Sequence, residues 1–301
     1  MASRGRVALI ALGVGAAVLV LFVATIWLLI AVSDDGLPGG AKVAVVQVEG
    51  VIGTEVSRGL DTEDIVRTLS EYRDDPAIRA VVLRINSPGG VVAPTQEIAT
   101  AVRRLREAKK PVVASLGSVA ASGGYYVAVA ADRIYASPGT LTGSIGVVMQ
   151  LANVEGLLKK VGVDYVVVKA GRYKDVGNFA RSMTPDERAI LQKLLDDVHG
   201  QFIEAVADGR KLDRATVVGI ADGRIYSGQQ AFELKLVDEL GGLEEAIEAA
   251  AKLAGLPPHP KVLYPRRRLS ITELLRNQVG LGVVPALPQL PTLRTPLYLM
   301  Y

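Results

Sequence analysis

Ala80-Val81-Val82-Leu83-Arg84-Ile85-Asn86, followed at once by Ser87-Pro88-Gly89-Gly90, decides the fold. The run is apolar almost throughout, without the alternation of a half-exposed strand, so it predicts a strand covered on both faces. Ser-Pro-Gly-Gly then stops it. A helix is expected from about Pro94 to Ala108, because Ala99, Val102 and Leu105 recur on one face. The unit is strand, glycine-rich turn, helix.

The same unit recurs on both sides. Valine-rich Lys42–Glu49 predicts a strand and Asp61–Tyr72 a helix. Pro111–Leu116 predicts a strand, followed by a helix of small residues from about Ser122 to Ala130. Short strands are expected at Arg133–Ala136 and Ile145–Met149, a helix near Val154–Lys160 and a strand at Tyr165–Lys169. Strands that alternate with helices imply an α/β fold of stacked βα units around a largely parallel sheet. After Met183 the pattern becomes helical. Thr184-Pro185-Asp186-Glu187 reads as a helix start, with Thr as N-cap, Pro at the first position and Glu at the third. A long amphipathic helix should run to about Ala207, with short ones at Arg214–Val218, Ser227–Leu234 and Leu243–Leu253. They form a C-terminal helical appendage.

Four stretches are expected: a tail and membrane anchor over 1–33, a linker over 34–41, a catalytic domain over 42–261 and a C-terminal tail over 262–301. From Val7 to Val32 no residue is charged. At about 1.5 Å per residue such a helix crosses roughly 30 Å of hydrocarbon, and its apolar run is longer than that of a cleaved signal peptide. Arg4 and Arg6 precede it, while Asp34 and Asp35 follow. This charge bias predicts a single-pass cell-membrane protein with its amino terminus in the cytoplasm and its globular part outside. Residues 262–301 carry five Arg against one Glu, with five Pro. They read as a solvated tail, or as one that meets anionic lipid or a neighbouring subunit.

Composition narrows the chemistry. Half of the 301 residues are hydrophobic, which excludes a disordered chain. The net charge of +3 is too small to suggest nucleic-acid binding. With no cysteine, disulfides, zinc ribbons, iron–sulfur clusters and a thiol nucleophile are excluded. No cluster suggests a metal, and no cofactor is expected.

Two glycine-rich turns should lie at the carboxyl edge of the sheet, where sites collect. One is Asn86–Gly90. The other is Ala120-Ala121-Ser122-Gly123-Gly124-Tyr125-Tyr126. Glycine lets backbone N–H groups approach a ligand. A serine there offers a hydroxyl beside free amides, which is what acyl transfer needs. Read alone, Ser122 is equally a helix N-cap. Neither turn carries the glycine–lysine signature of a phosphate loop. A nucleophilic serine needs a base. His199 falls in the amphipathic helix and His259 in a proline-rich connector, so lysine is the next candidate. A lysine base must shed its proton, its pKa falling from about 10.4 towards 7–8. Most lysines here lie in charged surface runs. Lys174, in Gly171-Arg172-Tyr173-Lys174-Asp175, follows an expected strand, although the local pattern also suits an ordinary loop lysine.

Together these motifs resemble the bacterial signal peptide peptidase SppA family, in its short membrane-anchored form. The matching residues are Asn86–Gly90, Ala121–Tyr126, Leu141-Thr142-Gly143-Ser144-Ile145-Gly146 and Gly171–Asp175. The resemblance covers roughly residues 42–255. It implies a Clp protease/crotonase-like fold and a serine peptidase with a Ser–Lys dyad. Ser122 would be the nucleophile and Lys174 the general base. The amides of Gly90 and Gly123 would form the oxyanion hole, and Ser144 would orient the lysine. Arg172 stands where the family often has lysine. The resemblance further implies signal peptides and other hydrophobic peptides as substrates. It also implies a homo-oligomeric ring, thought to have eight subunits, whose dyads can be shared between neighbours. The rival readings are a related membrane peptidase that cuts a hydrophobic segment of a stomatin-like partner, a crotonase-like acyl-CoA binder and a non-catalytic scaffold.

Overall fold

The computed structural model describes residues 13, 15–25, 40–53 and 61–264, and the backbone of a strand at 297–299. Residues 15–25 form an exposed helical stretch within a unit of their own, Met1–Gly40. No helix among the described residues is long and apolar enough to cross a membrane. The anchor expected over Val7–Val32 extends outside those residues, as do most of the linker and most of the tail.

The second unit is built on a mostly parallel sheet of eight strands. Its central strands are β1 (Lys42–Glu49), β2 (Ile78–Ser87) and β4 (Val112–Ala121), all mutually parallel. The sheet continues through β6 (Leu141–Gly143) to β7 (Ile225–Ser227) on one side, and through β1 to β9 (Lys261–Leu263) on the other. β5 (Arg133–Ala136) pairs with the first half of β4 and carries β8 (Glu239–Leu240), whereas β6 pairs with the second half of β4. Only the β6–β7 pair of this sheet is antiparallel.

The apolar runs are continuous because both faces of the sheet are covered. Ala44, Val46, Val81, Leu83, Ile85, Ala114 and Leu116 pack on one face, under helices α1 (Thr62–Asp74), α2 (Val92–Glu107), α3 (Gly123–Ala128) and α5 (Pro185–Arg210). Val43, Val45, Ala80, Val82 and Val113 pack on the other, against Ala246, Ala250 and Ala251 of α8 (Leu243–Leu253). These small side chains let that helix sit close to the strands. The expected start of α5 is borne out. Thr184 and Glu187 form a capping box, the Thr184 N–H donating to Glu187 Oε2 at 2.9 Å.

Three expectations are corrected. β4 runs five residues beyond Leu116, to Ala121, because an offset near Gly117 lets its second half change partner from β5 to β6. The strand expected at Ile145–Met149 falls at Leu141–Gly143, where Thr142 Oγ1 donates to Ala120 O at 2.7 Å. The strand expected at Tyr165–Lys169 does not form. Its valines meet no sheet, and Val166 and Val168 are 81% and 95% exposed. The remaining helices are α4 (Glu155–Val161), α6 (Arg214–Ile220) and α7 (Gly228–Glu233).

Candidate active site

Ser122 stands where β4 ends and α3 begins. Its φ of 52° and ψ of −117° lie in a region that side-chain-bearing residues avoid, at a cost of order 1–3 kcal/mol. Among the described residues, five that are not glycine have positive φ. Lys109, Lys211 and Lys235 follow helix ends, where a left-handed residue closes the last turn. The other two are Ser122 and Ser144. The backbone at Ser122 is pinned on both sides. Its N–H donates to Gly143 O at 2.8 Å, and its C=O accepts from the Tyr126 N–H at 2.8 Å.

The strained turn aims the hydroxyl away from the helix amides. Ser122 makes no side-chain capping bond. Its Oγ is buried without a hydrogen-bond partner among the described residues. The N-cap alternative therefore fails. A buried, unbonded hydroxyl is costly and calls for an explanation. A nucleophile waiting for its base and its substrate supplies one.

Gly90 and Gly123 come together beside it. Gly90 lies in β3 (Gly89–Val91), a short strand after the Ser-Pro-Gly turn. Ser87 Oγ accepts from the Gly89 N–H at 3.1 Å and so holds that turn. A Cβ on Gly123 would lie 3.2 Å from Gly90 N and 2.9 Å from Thr95 Oγ1. A Cβ on Gly90 would lie 2.1 Å from Ile52 O. Backbone contact this close admits only glycine, and it brings two amides to one place. In Gly123→Ala the N–H remains, but the added Cβ crowds Gly90 N and Thr95 Oγ1 and displaces a donor, so kcat is expected to fall by up to about 100-fold, the scale of losing one oxyanion donor. Gly90→Ala should in addition cost about 1–3 kcal/mol of stability as an overpacked contact. Steady-state kinetics with thermal melts separates the two effects.

Ser144 follows β6 directly, and its N–H donates to Arg224 O at 2.8 Å. It lines an open cavity of about 300 Å³ together with His199, Asp222 and Gly223. His199 Nε2 is buried and has no partner among the described residues. Sequence reasoning set His199 aside as a helix residue. No spacing rule links it to Ser144, because α5 returns to the sheet only through the tertiary fold.

Lys174 is not brought to Ser122 within this chain. It is exposed, in a series of turns, while Ser122 is fully buried with an unbonded Oγ. Its loop is nevertheless anchored. Asp175 pairs with Lys169 and with Arg181, whose Nε lies 3.0 Å from Asp175 Oδ2. Arg181 Nη1 also donates to Glu187 Oε2 at 2.9 Å, at the capped start of α5. The Arg181 guanidinium, followed by the Thr184 amide, holds the Glu187 carboxyl down at about 2. Hydrogen bonds from Arg181 and then Lys169 hold Asp175 well below the ordinary carboxylate range.

Because both carboxyls are depressed in the folded chain, their contribution to anchoring is complete above pH 4.5 and is lost as pH falls towards 2. Arg181→Met should reproduce that loosening at neutral pH. Limited proteolysis within residues 169–183 is expected to accelerate severalfold. Because Lys174 loses its position, kcat should fall about tenfold with little change in KM, the pattern of a group needed in the transition state rather than in binding. Unchanged proteolysis and kcat would show that the anchor does not position the loop.

Comparison with known proteins gives the family. Residues 104–257, which contain Ser122, Ser144 and Lys174, match the profile of Peptidase family S49. Residues 42–163 also match the profile of the NfeD1b N-terminal domain. A Synechocystis sp. protein named "Putative protease slr0021" is 46% identical over 72% of this chain and 76% of its own length. An Enterococcus faecium protein named "Putative signal peptide peptidase SppA" is 34% identical over 73% of this chain and 67% of its own. The chloroplastic serine protease SPPA of Arabidopsis thaliana is 33% identical over 82% of this chain and 38% of its own. With a family profile spanning the strained serine and the candidate lysine, and two of these relatives matched over two thirds or more of their own length, the chain belongs to the S49 family of serine peptidases.

Proposed function

We propose that the chain is a membrane-anchored endopeptidase that degrades signal peptides left in the bilayer after their release from preproteins, using Ser122 and Lys174 as a dyad. The observation that carries the dyad chemistry is the strained, buried and unbonded Ser122 beside the Gly90 and Gly123 amides. Neutral Lys174 takes the proton from Ser122 Oγ. The oxygen attacks the peptide carbonyl, and the two amides hold the resulting oxyanion. Lys174 then protonates the leaving amine. The leaving amine departs, Lys174 takes a proton from water as the water oxygen attacks the ester, and Lys174 returns that proton to Ser122 Oγ as the acid product leaves.

The lysine is supplied by a second copy of the chain. Three features support this reading. Lys174 is exposed. Its neighbourhood displays Leu157, Val161, Tyr165, Val166, Val168 and Phe179 to solvent. The open cavity at Ser144 leaves room for an incoming side chain. A patch of this kind marks an interaction surface. Head-to-tail copies close into a ring, with the uncharged Val7–Val32 run of each copy in the membrane and the peptidase unit outside.

The likeness to the Enterococcus relative and the uncharged Val7–Val32 run support signal peptides as substrates. The test is to incubate the full chain, in lipid, with a synthetic signal peptide and analyse the products by mass spectrometry. Internal cuts that vanish in Ser122→Ala support the reading; an intact peptide overturns it. The match to the NfeD1b N-terminal domain favours a second reading, a membrane peptidase that cuts a hydrophobic segment of a stomatin-like partner. Cleavage of that segment with signal peptides left intact would select it.

A further inference from the structure

The two strained serines are held by one short strand. Gly143 ends β6, and its carbonyl accepts from the Ser122 N–H at 2.8 Å. Ser144 comes next, with φ 50°, and its N–H donates to Arg224 O at 2.8 Å. Beside them runs β7, antiparallel, with Ile225 opposite Gly143 and Tyr226 opposite Thr142. A side-chain-bearing residue keeps a positive φ only where its surroundings over-determine it. Here those surroundings come from the helical part of the chain. Tyr226 is buried, and its ring lies against Gly143. A Cβ on Gly143 would lie 2.5 Å from Tyr226 Cδ2 and 3.3 Å from its Cε2. Gly143 also has φ 77°, so both its backbone and the ring require glycine. The ring is itself tethered. Tyr226 Oη donates at 2.9 Å to the carbonyl of Ile220, the last residue of α6, one of the acceptors that a helix end leaves free.

We infer that Tyr226 is a positioning residue for the reaction: its ring, packed on Gly143 and tethered to Ile220, fixes the carbonyl that holds Ser122 in its strained conformation, and with it the place of Oγ beside the Gly90 and Gly123 amides. The inference rests on Ser122 being the nucleophile. Tyr226 acts on that serine through Gly143 and not on the reacting atoms. A buried tyrosine against a glycine is commonly no more than core packing. What sets this one apart is the glycine it constrains, whose carbonyl is bonded to the strained serine. The second strained serine is bonded to Arg224, two residues before Tyr226, so the same segment governs both.

The test measures kcat, KM and thermal melting of the full chain and its variants with a fluorogenic apolar peptide. It also measures the rate at which a small phosphonofluoridate labels the serine. Tyr226→Leu removes the ring and its tether. Because a small misplacement of a reacting group costs up to about 100-fold, kcat should fall about 10–100-fold with KM within about twofold of wild type. Labelling should slow by the same factor, since it depends on the placement of Ser122 Oγ and needs no peptide. Tyr226→Phe keeps the ring on Gly143 and should restore kcat to within about threefold of wild type, although it melts lower for want of one hydrogen bond. Tyr226→Met fills the volume with a flexible side chain and gives the same readings as leucine should that variant fail to fold. Gly143→Ala drives a Cβ into the ring from the other side. If both residues act through one contact, Gly143→Ala/Tyr226→Leu is no slower than the slower single variant, because the losses do not multiply. A lower melting temperature with kcat and labelling unchanged in Tyr226→Leu or Tyr226→Met would overturn the inference, as would losses that multiply in the double variant. Labelling that persists in Ser122→Ala would instead overturn the nucleophile assignment, so the two failures are distinguishable.

Discussion

Ser122→Ala abolishes peptide hydrolysis, lowering kcat/KM by about 10⁴–10⁶-fold, the range for removing a serine nucleophile, while the protein melts at or above the wild-type temperature. The sign of the stability change is the informative part. If Ser122 served as an N-cap, its loss would cost about 1 kcal/mol and leave hydrolysis alone. In the structure Oγ accepts nothing from the helix and is buried without a partner. Deleting it breaks no bond and relieves an unsatisfied polar atom, whose burial costs about 1–3 kcal/mol. Ser122→Gly takes the argument further. It also removes the side chain that makes φ 52° unfavourable, so it should be more stable than Ser122→Ala in thermal melts and equally inactive. A variant that loses stability and keeps activity would return Ser122 to a structural role.

The sheet was legible because its physics is local. The runs of β1, β2 and β4 are apolar on both faces, and each is closed by a glycine-rich turn. Thr184-Pro185-Asp186-Glu187 carries its own capping chemistry, so the start of α5 follows from four residues. The candidate nucleophile was legible only as one of two readings. A serine before two glycines suits a cap and a catalytic turn alike, and only the observed φ and the unbonded Oγ separate them. What the pattern could not provide was pairing over long distances. β7 and β9 are three-residue strands whose partners lie far away in sequence. The strand at 297–299 reaches β3 across some two hundred residues. His199 meets the cavity of Ser144 only because α5 folds back against the sheet. Tyr165–Lys169 failed for the opposite reason. Its valines fit a strand, but a strand needs a neighbour and this chain offers none among the described residues.

Lys174→Ala is likewise expected to be inactive, but its most informative behaviour appears in mixtures. Suppose that each site takes Ser122 from one copy and Lys174 from the next. In a ring assembled at random from equal amounts of Ser122→Ala and Lys174→Ala chains, an interface works only when a Lys174→Ala chain supplies the serine and a Ser122→Ala chain the lysine. Each condition holds half the time, so the mixture should regain about one quarter of wild-type activity in a head-to-tail ring. A dyad formed within one chain gives none at any ratio, because no single chain carries both groups. Titrating the ratio sharpens the test, since activity should vary as the product of the two fractions and peak at equal amounts. The apolar surface over residues 157–179 provides an independent arm. Val166→Glu and Val168→Glu place carboxylates on side chains that are 81% and 95% exposed in the single chain. Each should leave the folded unit intact, yet a charge there would be desolvated in a closed seam. Sedimentation should then show smaller assemblies, with hydrolysis lost in proportion. Recovery near one quarter that disappears with either glutamate would establish that this peptidase is assembled at the seam between copies. Absence of recovery from demonstrably mixed rings would place both members of the dyad on one chain, and Lys174 would then have to reach Ser122 by a movement of the loop anchored through Asp175 and Arg181.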